Sequence, residues 1–294
     1  VVEIEREVPP MEMVVKSSDR FTEFDLYIAH TNDVLGALDE GIGYARLATG
    51  VNFGRALTDK TLLLDAGNVA SGTPLVEKFY GEPAGLMLDL LGYDAIAPGP
   101  ADFAYGASYL VEATQYAEEN TDLKVLSANV LNSAGAWIFQ PYQLYNFDDF
   151  VVAVAGVSAP PADTEGLSFL SDEVVELAQF AVDEARSFAD FVVVLGNIGN
   201  VDGITSEVIA ENIKGIDLII DGVGAKAPAS GKRVGDTLIV NADQKLGSVG
   251  VVEVHVKGKK ATDLTALRIT ADDVNAPERS ALAQWAGIDY VPAD

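Results

Sequence analysis

Five short apolar runs recur along this chain, and each ends in a small polar or glycine-bearing loop. The loops are His30-Thr31-Asn32-Asp33-Val34-Leu35-Gly36, Asp65-Ala66-Gly67-Asn68, Gly99-Pro100-Ala101-Asp102-Phe103, Gly196-Asn197-Ile198-Gly199 and Gly222-Val223-Gly224-Ala225. Between them lie segments whose apolar residues fall at helical spacing, such as Ile42, Ala45, Leu47, Ala48 and Val51. Strand-like runs that alternate with helices, and that are apolar on both faces, imply sheets covered on both sides. That pattern expects a layered α/β fold in one domain.

Strands are expected at Asp25–His30, Thr61–Asp65, Asp94–Ala97, Lys124–Asn129, Phe191–Leu195, Asp217–Ile220, Thr237–Val240 and Val249–Val256, with a hairpin across Trp137–Val157. Helices are expected at Gly41–Gly54, at Leu75–Leu91 with a break at Pro83, at Ala107–Glu119, Ser171–Phe188 and Ile204–Ile213, and as a closing element at Pro277–Ala286. Residues 1–24 are charged and carry Pro9-Pro10, so they suggest an N-terminal arm ahead of a single domain over 25–294.

Composition narrows the partners. The net charge is −26 over 294 residues, which repels nucleic acid and anionic membrane over a screening length of ~8 Å at physiological salt. The 19 Lys and Arg form no evident cluster beyond Lys257, Lys259, Lys260 and the pair Lys232-Arg233. With no Cys, disulfides, thiolate catalysis and cysteine-based metal sites are excluded. No apolar run approaches the ~20 residues of a membrane-spanning helix. A chain of this length buries roughly 75% of its unfolded surface, so a large core needs no staples.

Seven stretches follow one another in the order and spacing of one family: His30-Thr31-Asn32-Asp33, Gly41-Ile42-Gly43-Tyr44-Ala45-Arg46-Leu47, Leu64-Asp65-Ala66-Gly67, Ser71-Gly72-Thr73-Pro74, Leu91-Gly92-Tyr93-Asp94-Ala95, Asp102-Phe103-Ala104-Tyr105-Gly106 and Ser127-Ala128-Asn129-Val130. Over about residues 25–256 the chain resembles the 5′-nucleotidase family of calcineurin-like metallophosphoesterases. The resemblance implies a four-layer α/β/β/α sandwich with mixed sheets and two metals at the strand ends. It also implies a periplasmic, cell-surface or secreted location. The family's usual members add a C-terminal nucleoside-binding domain, which this chain is expected to lack.

The same resemblance marks where a binuclear centre would sit, and most of those positions hold another residue. Where the family pattern has Asp-x-His, this chain has Asp33, Val34 and Leu35. A bridging Asp is replaced by Asn68. The Gly-Asn-His-Glu loop, with a ligand and the catalytic His, becomes Gly99, Pro100, Ala101 and Asp102. A further His is replaced by Asn197, and Gly-His-x-His carries Val223 and Ala225. Two cations ~4 Å apart need imidazole and carboxylate donors to clamp a phosphate and generate hydroxide. A zinc site binds with roughly 10–16 kcal/mol, so each lost ligand costs about 3 kcal/mol or more. The expectation is a pseudo-phosphoesterase with no metal and no cofactor, acting as a binding or structural module. A protein partner or a small ligand in the former cleft would be its occupant. The alternative is a phosphoesterase rebuilt around one divalent cation near Asp33.

Other features carry less. His30 and His255 are the only imidazoles; the first ends a strand and suits a structural role, and the second sits in an alternating strand with an exposed face. Asp33 and Asp102 could be a residual acid–base pair, but loop ordering accounts for them better. Asn68 and Asn197 could bond to each other, bind a ligand, or face solvent. Gly231-Lys232-Arg233 lacks the spacing of a phosphate loop, Gly41-Ile42-Gly43 lacks the third glycine of a dinucleotide fingerprint, and Asp272-Asp273-Val274-Asn275 lacks the Gly and Glu of a calcium loop. Trp137 and Trp285 are expected to pack.

Overall fold

The computed structural model describes residues 11–164, 166–169, 173–200, 202–223 and 227–275. The helix expected at Pro277–Ala286, Trp285 and Ala225 lie outside the described residues.

Two sheets stand face to face. The first has six strands in the order β15 (Lys260–Thr270), β14 (Ser248–Lys257), β2 (Glu23–Thr31), β3 (Thr61–Asp65), β4 (Ala95–Ile96) and β5 (Lys124–Val125). The second has seven, in the order β1 (Val14–Ser17), β7 (Tyr142–Phe147), β8 (Phe150–Ser158), β10 (Phe191–Asn197), β11 (Leu218–Asp221), β13 (Thr237–Val240) and β12 (Lys232–Val234). A two-stranded pair joins β6 (Val130–Leu131) to β9 (Ser168–Phe169). Both large sheets are mixed: β2, β3, β4 and β5 are parallel, while β14 is antiparallel to β2 and to β15.

Strand periodicity builds the layers. Leu26, Ile28, Leu62 and Leu64 project from the first sheet into a core shared with Phe150, Val152, Val154, Phe191, Val193 and Leu195 of the second. The intervening residues point the other way. Leu63 meets the outer helices α1 (Tyr44–Leu57), α3 (Glu82–Leu91) and α4 (Ala107–Asn120), and Val192, Val194 and Ala153 meet α5 (Val174–Arg186) and α6 (Ser206–Asn212). Successive strand residues face opposite sides, so two-faced apolar strands require helices outside and a second sheet inside. The result is the expected α/β/β/α sandwich. Helix α5 shows the logic most plainly. Val174, Leu177, Ala178, Ala181, Val182 and Ala185 follow the helical period and are all buried, and a buried Leu or Val contributes roughly 1.5–3 kcal/mol. Two short helices, α2 (Pro74–Lys78) and α7 (Ala271–Asn275), complete the elements.

Several local expectations change. The segment 75–91 breaks before Pro83, not at it. Tyr80 and Gly81 adopt left-handed φ of 51° and 86°, and Pro83 sits in the first turn of α3, where its missing N–H costs nothing. The strand expected over Lys124–Asn129 keeps regular pairing only at Lys124–Val125; beyond it the Ser127 N–H turns to Gln140 O at 2.9 Å and the Ala128 N–H to Gly156 O at 2.8 Å, and the Asn129 side chain accepts from the Ser158 N–H at 2.8 Å and donates to its carbonyl at 2.8 Å. Within the stretch read as an arm, Val14–Ser17 pairs parallel with β7 as an edge strand. Its Lys16 Nζ reaches Asp94 Oδ1 at 2.6 Å, beside β4. Strand β12 has no sequence signal of its own; it is a three-residue edge.

Candidate functional site

The loops singled out in the sequence converge at the C-terminal ends of β2, β3, β10 and β11. Backbone bonds lace the first two together: Asp33 N–H donates to Gly67 O at 3.0 Å, Leu35 N–H to Asn68 O at 2.7 Å and Gly36 N–H to Val69 O at 3.1 Å. Three residues here hold left-handed backbone without being glycine: Asp33 at φ 48°, Leu35 at 51° and Asn68 at 63°. Such conformations are unusual outside glycine and tend to collect at functional loops.

Asn68 is at the centre. Its side-chain N–H2 donates to Asp33 Oδ1 at 2.8 Å and reaches Asn197 Oδ1 at 3.3 Å. Its Oδ1 accepts from the backbone N–H of Ala101 at 2.8 Å. These partners fix the amide orientation, since only oxygen can meet the Ala101 N–H. Asn197 is fully buried, and its N–H2 donates to the carbonyl of Ala66. Close approach depends on two glycines. A Cβ at Gly99 would lie 2.4 Å from Asn68 Oδ1, and one at Gly222 would lie 2.4 Å from Ala66 O. The two asparagines therefore bond to each other and to the loops; neither faces solvent.

Asp102 is an anchor. Its Oδ2 accepts from the N–H of Asn68 at 2.7 Å and of Gly99 at 2.8 Å, and its Oδ1 accepts from Val69 at 2.7 Å and Ala70 at 2.9 Å. With both oxygens occupied by four backbone donors in a buried position, it orders the loop that carries Asn68. It does not pair with Asp33 for acid–base work. Leu35, Pro100, Ala101 and Val223 are half-buried around this network, and Val223 Cγ1 packs toward Gly199.

Two carboxyls escaped the sequence reading. Asp65 is fully buried; its Oδ1 accepts from Gly67 N–H at 2.6 Å and its Oδ2 from the Thr31 hydroxyl. Burial pushes it well above the usual carboxylate range, and Asp102 and Asp33 push the same way. Asp221 closes β11, and its Oδ1 accepts from Val223 N–H at 3.3 Å. Burial first, then Glu207 and Asp33, raise it to about 7. Asp33 is itself raised by burial and by Asp102, against the Asn68 bond. The signal for both was an acidic residue closing an apolar run, Leu62-Leu63-Leu64-Asp65 and Leu218-Ile219-Ile220-Asp221.

The histidines lie apart from this network. His30 is buried on β2 against Gly250, where burial lowers it to about 3, and its Nδ1 has no partner. His255 Nδ1 lies 2.6 Å from Asp25 at the other end of the same sheet, on a half-exposed face. A cavity of about 590 Å³ lies at that far end too, lined by residues such as Phe21, Asp25, Arg55 and Lys60.

This donor set does not fit a pair of divalent cations. A binuclear centre takes several imidazoles and carboxylates. Leu35, Ala101 and Val223 offer hydrocarbon, Asn68 turns N–H toward Asp33, and Asn197 is spent on Ala66. Among the described residues, no group of three or more His, Cys, Asp or Glu could hold a metal ion.

Comparison with known proteins gives the family and the fold. No family model matches the chain. The chain is 28% identical over 223 residues to 5′-nucleotidase of Bos taurus, covering 68% of this chain and 38% of that protein. It is 30% identical over 237 residues to the trifunctional nucleotide phosphoesterase protein YfkN of Bacillus subtilis, covering 68% of this chain and 16% of that one. The crystal structure of the calcineurin-like phosphoesterase YfkN from Bacillus subtilis superposes with a TM-score of 0.71 at 20% identity, covering 90% of this chain and 97% of that structure. The chain belongs to the 5′-nucleotidase family of calcineurin-like metallophosphoesterases. It corresponds to the N-terminal domain of that family and spans less than half the length of these two curated relatives. Among the described residues no helix is long and apolar enough to cross a membrane.

Proposed function

We propose that this chain is a non-catalytic member of the 5′-nucleotidase family, a pseudo-phosphoesterase that serves as a binding or structural module. One observation carries the reading: the Asn68 N–H2 spans Asp33 and Asn197, at 2.8 and 3.3 Å. An amide N–H directed at a carboxylate takes the place a cation would take, and two such groups cannot share one lone pair. The bridging position thus gives a hydrogen bond where the family's chemistry needs a charge. The hydrocarbon side chains of Leu35, Ala101 and Val223 support the same reading, since none can donate an electron pair.

The test is elemental analysis by mass spectrometry of purified protein, run beside hydrolysis assays. Nucleoside monophosphates and a generic phosphodiester would be supplied with Mn²⁺. The expected result is substoichiometric metal and no turnover. Stoichiometric Zn, Mn or Ni would sink the reading.

A second reading has its own support. Asp33 lies close enough to Asp221 to raise its proton affinity, and a single hard cation between them would relieve that repulsion. On this reading Mn²⁺ or Mg²⁺ raises the melting temperature and Asp33→Ala abolishes the response.

The proposed location is extracytoplasmic. Relatives include a snake venom 5′-nucleotidase of Naja atra and a 5′-nucleotidase precursor of Thermus thermophilus. The −26 charge is compatible with that setting. Fractionation of the native host would find the protein outside the cytoplasm; recovery in the cytosol refutes the proposal.

A further inference from the structure

The outer helical layer on the six-stranded sheet carries an apolar surface that the fold does not use. Of the twelve large apolar side chains exposed among the described residues, seven lie between positions 75 and 116, on or beside α2, α3 and α4. Tyr80, Tyr116 and Leu90 are exposed by 63%, 70% and 68%. Isolated exposed apolar residues need no explanation, but a concentration of them does.

Ring contacts join its tyrosines at the end where α3 and α4 begin. Tyr80, at the turn between α2 and α3, meets Tyr105 edge-on at 5.7 Å, and Tyr105 meets Tyr109 of α4 at 6.1 Å. Tyr80 and Tyr109 close the triangle at 6.4 Å. Along α4, Tyr109, Glu112 and Tyr116 share a face at helical spacing. Along α3, Glu82, Leu86 and Leu90 do the same, and Glu82 acts on the Tyr109 phenol. The patch also touches the loops at the strand ends. Tyr105 OH donates to Ala70 O at 3.1 Å, and the Ala70 N–H is held by Asp102.

The charge on this face selects its partner. Glu77, Glu82, Asp89, Glu112 and Glu119 are exposed among the apolar groups, against Lys78, set over Phe79, and Arg55, bonded to the carbonyls of Leu91 and Gly92 at the end of α3. A second copy would bring like charge against like charge, and an anionic bilayer would be repelled. A basic amphipathic helix instead satisfies both components: its apolar stripe covers Leu86, Leu90 and the tyrosines, and its Arg and Lys meet the carboxylates and ring faces. Tyr is also among the residue types enriched at the energetic centre of such contacts.

We propose that the α2–α3–α4 face is a docking surface for a basic amphipathic helix of a partner protein. The surface serves that role whether or not the strand-end loops are catalytic.

The test uses three synthetic peptides of about eighteen residues, roughly five helical turns. One is a Lys/Leu amphipathic helix, one is its scramble with equal charge but no apolar face, and one is its Glu/Leu counterpart. Fluorescence anisotropy at physiological salt gives the affinities. The amphipathic basic peptide is expected to bind at least tenfold more tightly than the scramble, and the acidic peptide not at all. Tyr80→Ser with Tyr109→Ser, and Leu86→Ser with Leu90→Ser, leave the net charge unchanged and are expected to weaken that binding at least tenfold. Phe188→Ser, an exposed change on the α5 side, is expected to leave it intact. Hydrogen exchange with and without peptide locates the contact at 74–120. Equal binding of scramble and helix, variants that bind like wild type, or absence of binding would each overturn the proposal. So would dimerisation through this face in sedimentation, or adsorption to phosphatidylserine vesicles that the tyrosine variants abolish.

Discussion

Lys60 joins the two sheets through Asp148: its Nζ lies 3.1 Å from Asp148 Oδ2, and both side chains are almost wholly buried. Lys60 precedes β3 of the first sheet, and Asp148 sits in the turn between β7 and β8 of the second. Asp59 at 2.6 Å and Asp19 at 3.4 Å complete the ammonium's surroundings. Lys60→Met would leave the Asp148 carboxylate buried without its cation. Removing one partner of a buried pair costs roughly 3 kcal/mol or more. Urea denaturation should show that loss, and Lys60→Met paired with Asp148→Leu should recover part of it. Equal stability of wild type and Lys60→Met would contradict this account of the sheet junction.

Asn68→Asp puts a carboxylate where the Asn68 amide now donates to Asp33 at 2.8 Å. In this chain it sets carboxylate against carboxylate with no countercharge. The expected outcome is destabilisation on the order of 1–3 kcal/mol at neutral pH, from the lost hydrogen bond. The loss should shrink in mild acid, where the pair can share a proton. Melting curves under the two conditions check this. A variant as stable as wild type in both would show that the Asn68–Asp33 bond contributes nothing.

Asp102→Ala deletes an acceptor for four backbone N–H groups. Leaving even one or two buried donors unmet costs about 1–3 kcal/mol each. The variant is expected to lose about 3 kcal/mol or more on this scale, with Asp102→Asn intermediate because the amide oxygen still accepts. Calorimetry measures the order. A stable Asp102→Ala protein would show that the loop is held by something else.

Asp221 gives the pH dependence its sign. Its carboxyl is raised to about 7 from 3.8, so between those values the folded protein holds a proton that the unfolded chain has released. Stability therefore falls as pH rises through that window and levels off above about 7. Asp221→Asn removes that residue's share of the slope, leaving the shares of Asp65, Asp33, Asp102 and Asp217, and adds on the order of 2–4 kcal/mol in mild alkali, since each tenfold change in proton affinity is worth about 1.4 kcal/mol. Chemical denaturation across the window and just above it tests this; parallel profiles for the two proteins would rule the assignment out.

Much of this was legible from residues alone. Continuous apolar runs such as Leu62-Leu63-Leu64 and Val192-Val193-Val194 required a sheet with both faces covered, because side chains alternate between faces and neither can meet water. That Leu35, Ala101 and Val223 offer only hydrocarbon where the resemblance expects imidazoles was visible too, because a side chain's capacity to give an electron pair belongs to its covalent structure. Helix ends were less secure. Pro83 announced a break in 75–91, and the structure sets it a turn earlier, in the left-handed backbone of Tyr80 and Gly81.

Contacts between distant loops were beyond sequence. Nothing local tells Asn68 to donate to Asp33, 35 positions away, or Asn197 to lie under Gly99 and Gly222. Those bonds exist because packing of the two sheets brings four strand ends to one place. The α/β class and the doubly covered sheets were thus properties of period, set by alternation along a strand, while the four-layer arrangement followed from the resemblance. The tertiary structure alone decided that Asp102 serves as an anchor, that burial raises the Asp221 carboxyl, and that Tyr80 and Tyr105 of two turns meet Tyr109 of α4 on one acidic face. Each depends on burial and distance, and the chain acquires those only when it closes on itself.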